Sequence, residues 1–193
     1  MASIVVNYLG IKFKDDCHVA VAYIFCDFRR QNEQTSTDLL TSLLKQLACQ
    51  TPTLPECLKN LYGNHRNQQT RSTPGEIWTA LHTIGSSYEK VFIVIDALDE
   101  CQVSESGRAK FLAELFRLQD ATPVNIFTTS RFIDDIKEVF QKRRAIFLEI
   151  RVRDNDIEKY LEGHMSSLPS FISRELSLAD EVKARIVEVV DGM

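Results

Sequence analysis

The chain has no C-x-x-C pair, no G-x-S-x-G elbow, no internal repeat and no low-complexity tract. Its five cysteines, Cys17, Cys26, Cys49, Cys57 and Cys101, are scattered and odd in number. That argues against a disulfide framework and for reduced thiols in an intracellular, cytoplasmic protein. Cys17 and His18 are adjacent, but no second pair stands at zinc-like spacing to complete a metal site. Without a G-x-S-x-G elbow, the signature of a serine nucleophile mounted on an α/β sheet is missing. No apolar run approaches the length that spans a bilayer. Met1–Leu9 has neither a basic start nor a long apolar centre, so it does not read as a signal peptide. Positive charge is not in excess either: 23 Lys+Arg against 27 Asp+Glu leave a net charge of −4. Such a balance favours neither nucleic acid nor an anionic membrane as partner. Arg29-Arg30 and Lys142-Arg143-Arg144 are short basic clusters of the kind that are ordinarily solvated.

What remains is an ordinary globular composition, 44% hydrophobic and 26% charged over 193 residues. That suits one domain, or one domain and a fragment of a second. The most informative stretch is Val91-Phe92-Ile93-Val94-Ile95-Asp96-Ala97-Leu98-Asp99-Glu100. Five consecutive apolar residues leave no solvent face, so they read as a strand buried on both sides within a parallel sheet. Asp96 then falls at the strand's carboxyl end, where open α/β sheets keep their ligands. Asp96, Asp99 and Glu100 repel one another unless a cation or a proton sits among them. A hard ion such as Mg²⁺, bound together with a substrate phosphate, suits them. The simpler alternative is a strand followed by a helix-capping acidic turn.

The rest of the chain alternates helices and apolar strands. Ala2–Leu9 has helical spacing, and Val19–Phe25 is a second buried-strand candidate. Thr35 or Thr37 caps a helix whose Leu39, Leu40, Leu43, Leu44 and Leu47 form one apolar stripe. Pro52 and Pro55 end it and start a short helix around Glu56–Tyr62, followed by a polar loop from Gly63 to Ser72 with His65, Arg66 and Arg71 in solvent. Thr73-Pro74-Gly75-Glu76 is a capping box that opens a helix ending at Gly85. A helix over Glu105–Leu118 follows the focal strand. Val124–Thr128 is a further strand, running into Thr129-Ser130-Arg131. Ile133–Phe140 is a short helix, Ala145–Ile150 another strand, and Asp154 or Asn155 caps a helix through Met165. Pro169 marks a boundary before a last amphipathic helix, Leu178–Val190. This alternation predicts an α/β fold with a doubly wound, mostly parallel sheet and flanking helices. The expected division is an α/β core over 1–150 and a helical segment over 151–193.

Two strand ends thus carry groups suited to a nucleoside triphosphate: Asp96, Asp99 and Glu100 on one, Thr129 and Arg131 on the other. The spacing allows one right-handed helical crossover between them. Carboxylates can hold a metal and orient a water, while a guanidinium binds a γ-phosphate and stabilises developing charge. Read alone, Arg131 is a surface arginine at a helix start; its coupling to the acidic strand favours the phosphate-site reading.

VFIVIDALDE followed by FTTSR resembles the Walker B and sensor-1 segments of NACHT-type NTPases, of the STAND class of signal-transduction ATPases. VAYIFCDFRRQNEQTSTDLLTSLLKQLA and VVDGM are similar to fungal members with a nephrocystin-like N-terminal domain. The resemblance implies that Asp96 binds Mg²⁺, through water, and that Asp99 completes the metal site. It further implies that Glu100 polarises the attacking water, with Asp99 beside it, and that Arg131 is the sensor arginine facing the nucleotide with Thr129. In the family these parts form an ATP- or GTP-dependent switch that opens to oligomerise and signal, in non-self recognition or regulated cell death.

One family element is missing. No G-x-x-x-x-G-K-[ST] occurs in the chain, and that loop supplies the amide cradle and lysine for the phosphates. The resemblance implies that the chain begins just after that loop. The strand before it, internal to the sheet in the family, is then missing too, and VVDGM stops where relatives continue into helical domains. The expectation is a fragment of a NACHT-type domain with weak or no nucleotide binding and hydrolysis of its own. Open strand edges would favour self-association. The alternative is a non-catalytic interaction module that pairs with full-length relatives. A metal-dependent phosphohydrolase using the acidic cluster alone ranks behind both.

Overall fold

The apolar runs at Val19–Phe25 (β1), Lys90–Asp96 (β2) and Val124–Thr128 (β3) form one parallel sheet of three strands in the order β1-β2-β3. The register pairs Phe25 with Asp96 and Ile95 with Thr128, which brings the carboxyl ends of all three strands to one rim. The structure is a computed structural model that describes residues 1–30, 33–101, 107–150, 154–164 and 176–190. The chain divides into two compact units, Met1–Gln141 and Lys142–Met193. The sheet and every site residue discussed below belong to the first.

One face of the sheet presents Ala20, Ala22 and Ile24 from β1 and Val91, Ile93 and Ile95 from β2, all buried. Helices α2 (Ser36–Cys49), α4 (Pro74–Gly85) and α5 (Gly107–Ala121) form the layer that seals it. The leucine stripe of α2 is buried as its spacing predicts, and Thr35 closes the helix start through a capping box with Asp38. Thr73 and Glu76 do the same for α4, with Pro74 in its first turn. On α4 the Trp78 ring lies between His82, stacked at 5.3 Å, and the Arg117 guanidinium of α5, 3.7 Å from its centroid. The opposite face carries α1 (Ala2–Lys12), whose Ala2 and Leu9 pack with Val94 while Phe13 stacks on Phe92 at 5.6 Å. This cover is incomplete: Tyr23, Phe25 and Phe127 are exposed on that face, and Ile4, Tyr8 and Ile11 on α1 itself.

The β1 edge is finished by side chains. Gln46 accepts from the N–H of Tyr23 and donates to its C=O, at 2.9 and 2.8 Å. Gln50 does the same for Val21, at 3.0 and 2.9 Å. Gln34 accepts from the N–H of Asp27 and donates to the C=O of Phe25, both at 3.0 Å. Residues four apart on a helix are about 6 Å apart along its axis; alternate strand residues are separated by about 6.6 Å. That near-match lets Gln46 and Gln50 of α2 act as a surrogate strand.

Two expectations are corrected. Helix α3 spans Glu56–Gln68, well past Tyr62, and ends at Gln69 in the left-handed region with φ 53. His65 is therefore helical and anchored: its ring meets Thr70 Oγ1 at 2.7 Å and Glu76 Oε2 at 3.1 Å. Those ties, and packing on α4, offset the roughly 1 kcal/mol cost of Gly63 within the helix. Ala145–Ile150 is not a strand: it has no regular secondary structure and pairs with nothing in the sheet, β3 being its last member. A strand without a ladder partner is not stable by itself.

Helix α6 (Asp134–Lys142) packs on α5 through Phe140 and Phe116, whose ring centroids are 5.4 Å apart. In the second unit α7 (Asp154–His164) and α8 (Leu176–Val190) pack together. The boundary read at Pro169, the helix end at Met165, the start at Glu105 and the end of VVDGM lie outside the described residues. No helix among the described residues is long and apolar enough to cross a membrane.

Candidate functional site

The adjacency of β2 and β3 brings the predicted polar residues to one rim. Thr129, the first residue beyond β3, ties the two strand ends together. Its hydroxyl donates to Asp96 Oδ1 at 2.5 Å and accepts from the Ala97 N–H at 3.0 Å. Its own N–H reaches the Ile95 C=O, and its C=O accepts from Leu98, both at 2.9 Å. Between these anchors Ala97 turns the chain through the left-handed region, with φ 52. A non-glycine residue there costs on the order of 1 kcal/mol, so the hydrogen bonds to Thr129 on either side hold the bend in place. A short 3₁₀ turn, Leu98–Glu100, follows and aims Asp99 back toward β3.

Asp99 and Arg131 pair across that turn. The Arg131 backbone N–H donates to Oδ1 at 3.1 Å and its Nε to Oδ2 at 2.5 Å. The Asp99 side chain is only 3% exposed, while that of Arg131 is 79% exposed. Burial pushes the Asp99 carboxyl up, but the hydrogen bonds from Arg131 outweigh it and hold the pKa below the ordinary carboxylate value. Arg131 is shifted up in turn, first by its bond to Asp99. Glu100 accepts from the Phe28 N–H at 3.3 Å, which links the rim to the loop after β1.

Beneath this rim lie two residues that sequence reasoning left as generic thiols. Cys26, just past β1, and Cys101, just past the acidic turn, are both buried. The neighbouring Cys101 thiol, then burial and the negative charges of Asp96 and Asp99, push the Cys26 pKa up and keep it a neutral thiol. The signal was positional: each cysteine directly follows a segment that ends at the rim.

The acidic cluster thus has part of its required cation built in, since Arg131 engages Asp99. For Mg²⁺ the fit falls on Asp96, whose Oδ2 has no hydrogen-bond partner among the described residues. A single carboxylate with waters and phosphate oxygens is an ordinary Mg²⁺ donor set. Asp99 would have to give up Arg131 to contribute. Among the described residues no group of three or more His, Cys, Asp or Glu side chains is placed to hold a metal ion. A separate groove of about 470 Å³ lies between α3 and α4, lined by Cys57, Asn60, Asn64, Glu76 and Thr79 among others. It contains none of the predicted site residues.

Fold and site together define an α/β protein with a small parallel sheet, flanking helices and a polar rim at the carboxyl ends of its strands. The family described as Nephrocystin 3, N-terminal matches residues 1–131, and the chain belongs to that family. The matched stretch includes Asp96, Asp99, Glu100, Thr129 and Arg131. No curated protein matches the chain.

Proposed function

We propose that the chain is the nucleotide-responsive core of a NACHT-type, STAND-class signalling NTPase domain, with the rim from Asp96 to Arg131 directed at metal-bound phosphate. The observation that carries this reading is the joint delivery of Asp96 and Arg131 by neighbouring parallel strands to one rim. Asp96 is the residue to hold Mg²⁺, and Mg²⁺ there would neutralise phosphate charge. Thr129 fixes the Asp96 carboxylate. Arg131, exposed beyond its contact with Asp99, is the cation available to a phosphate oxygen. Glu100 stands beside them as the group to orient water.

The chain has no G-x-x-x-x-G-K-[ST] loop to wrap the phosphates, so its own affinity for ATP or GTP is expected to be weak. Saturation is expected near the ~1 mM scale, where binding supplies only about −4 kcal/mol. Amide NMR titration with Mg-ATP and with Mg-GTP tests this. Saturable shifts at Asp96, Thr129 and Arg131 that vanish in Asp96→Asn support the reading. Shifts elsewhere only, or shifts indifferent to Asp96→Asn, overturn it, and micromolar binding by calorimetry refutes the expected weakness. A second reading, a non-catalytic module that pairs with full-length relatives, is favoured by the unpaired β3 edge. Co-purification with a relative, unaffected by Asp96→Asn, would support it.

A further inference from the structure

The β3 edge lacks the glutamine closure of β1. In the β2–β3 ladder the Val91 N–H reaches the Pro123 C=O at 3.0 Å, and the Thr129 N–H reaches the Ile95 C=O at 2.9 Å. In a parallel ladder this turns the backbone groups of odd-numbered β3 residues toward β2. The N–H groups of Ile126 and Thr128 and the C=O groups of Val124 and Ile126 therefore face away from the sheet. No hydrogen bond reaches them among the described residues. The strand, VNIFT, has no charged residue and no proline, two common devices that discourage a further strand from adding.

The complementary piece is Ala145–Ile150. Its sequence, AIFLEI, has the near-continuous apolar character of a strand covered on both faces. Yet it stands outside any ladder, with Ile146 99% and Leu148 82% exposed. We infer that two copies of this chain pair by strand exchange, Ala145–Ile150 of each lying along the open β3 edge of the other. The lengths agree, six residues against five. Each chain offers one donor segment and one acceptor edge, so a reciprocal pair closes on itself with nothing left over. Main-chain bonds to Ile126 and Thr128 supply the ladder, and burial of Ile146, Phe147 and Leu148 supplies the drive. The β1 edge is the poorer acceptor, because Gln46 and Gln50 already hold the outward groups of Tyr23 and Val21 and Gln34 holds the Phe25 C=O. The inference does not depend on nucleotide binding.

Sedimentation velocity over a dilution series, with amide exchange on the same samples, tests it. The expected result is a species of twice the 22.1 kDa chain mass that dissociates on dilution, with slowed exchange at Ile126 and Thr128 in the dimer alone. Leu148→Pro removes a donor from an exposed position, and Ile146→Lys adds a charge beside it. Each should abolish the dimer and leave unchanged the melting temperature measured at dilutions where the parent is already monomeric. A paired Ile4→Lys and Ile11→Lys change on the exposed side of α1 should leave the dimer intact. The inference is overturned by a monomer at all concentrations or by Ile126 protection in a monomer, which would mean same-chain pairing. A dimer that survives Leu148→Pro, or one that the α1 changes dissolve, overturns it as well.

Discussion

β1 and β3 flank the same central strand, yet a row of glutamine amides holds most outward backbone groups of one edge, while no hydrogen bond among the described residues meets those of the other. The β1 solution is geometric: α2 lies against the strand with Gln46 and Gln50 one turn apart, and each amide returns one donor and one acceptor to one residue. Among the described residues no helix of the first unit performs that service for β3. The difference shows that an exposed strand need not be short, charged or proline-bearing to be blunted; a neighbouring helix with two correctly spaced amides is enough. It also makes the two edges independently testable.

The largest effect should come from the strand common to both. Ile93→Ala, at a fully buried position of β2, is expected to cost about 2–5 kcal/mol, read from chemical denaturation. It should weaken the sheet without favouring either edge. Next is the double change Gln46→Leu and Gln50→Leu. A net hydrogen bond contributes about 0.5–1.5 kcal/mol, and the freed β1 groups regain water, so a total loss of on the order of 1–2 kcal/mol is expected. The qualitative readout is sharper: light scattering should detect new association through β1, insensitive to Leu148→Pro. If the double variant stays as resistant to association at β1 as the parent, amide closure is not what separates the edges.

The smallest effect at neutral pH concerns the rim, which is tied by charge where β1 is tied by neutral amides. The Asp99 carboxyl titrates below its unfolded value of about 3.9 because of Arg131. Its contribution to stability is therefore complete above that unfolded value and lost as pH falls through the folded one. Arg131→Gln should move the acid-unfolding midpoint, followed by circular dichroism, to higher pH. The Gln46/Gln50 variant should leave the pH dependence of stability in this range unchanged, since amides do not titrate.

Much of this was legible because the signals were local. Val19–Phe25 is continuous and apolar, and the strand has those bounds. Thr73-Pro74-Gly75-Glu76 contains its own capping partners within four residues. Asp96 and Arg131 could be brought together because apolar runs joined by a helical crossover pair in parallel. The remainder depended on distant partners. Nothing in α2 distinguishes Gln46 and Gln50 from solvated polar residues, because their acceptors and donors lie more than twenty residues earlier. The pairing of Asp99 with Arg131 was not legible, because sequence supplies charge but not direction, and the turn at Ala97 sets that direction. Ala145–Ile150 has strand composition without a strand beside it, and composition cannot reveal a missing neighbour. Gly63 suggested a helix end, but tertiary bonds through His65 carried α3 past it.

The stacking of Trp78 between His82 and Arg117 has a practical consequence. It is the chain's one tryptophan, so emission excited selectively at tryptophan watches a single seam, between α4 and α5, and has no source in the unit that begins at Lys142. Unfolding curves recorded by emission and by far-ultraviolet dichroism should therefore diverge wherever the two units melt at different temperatures, which provides a label-free measure of how far one depends on the other.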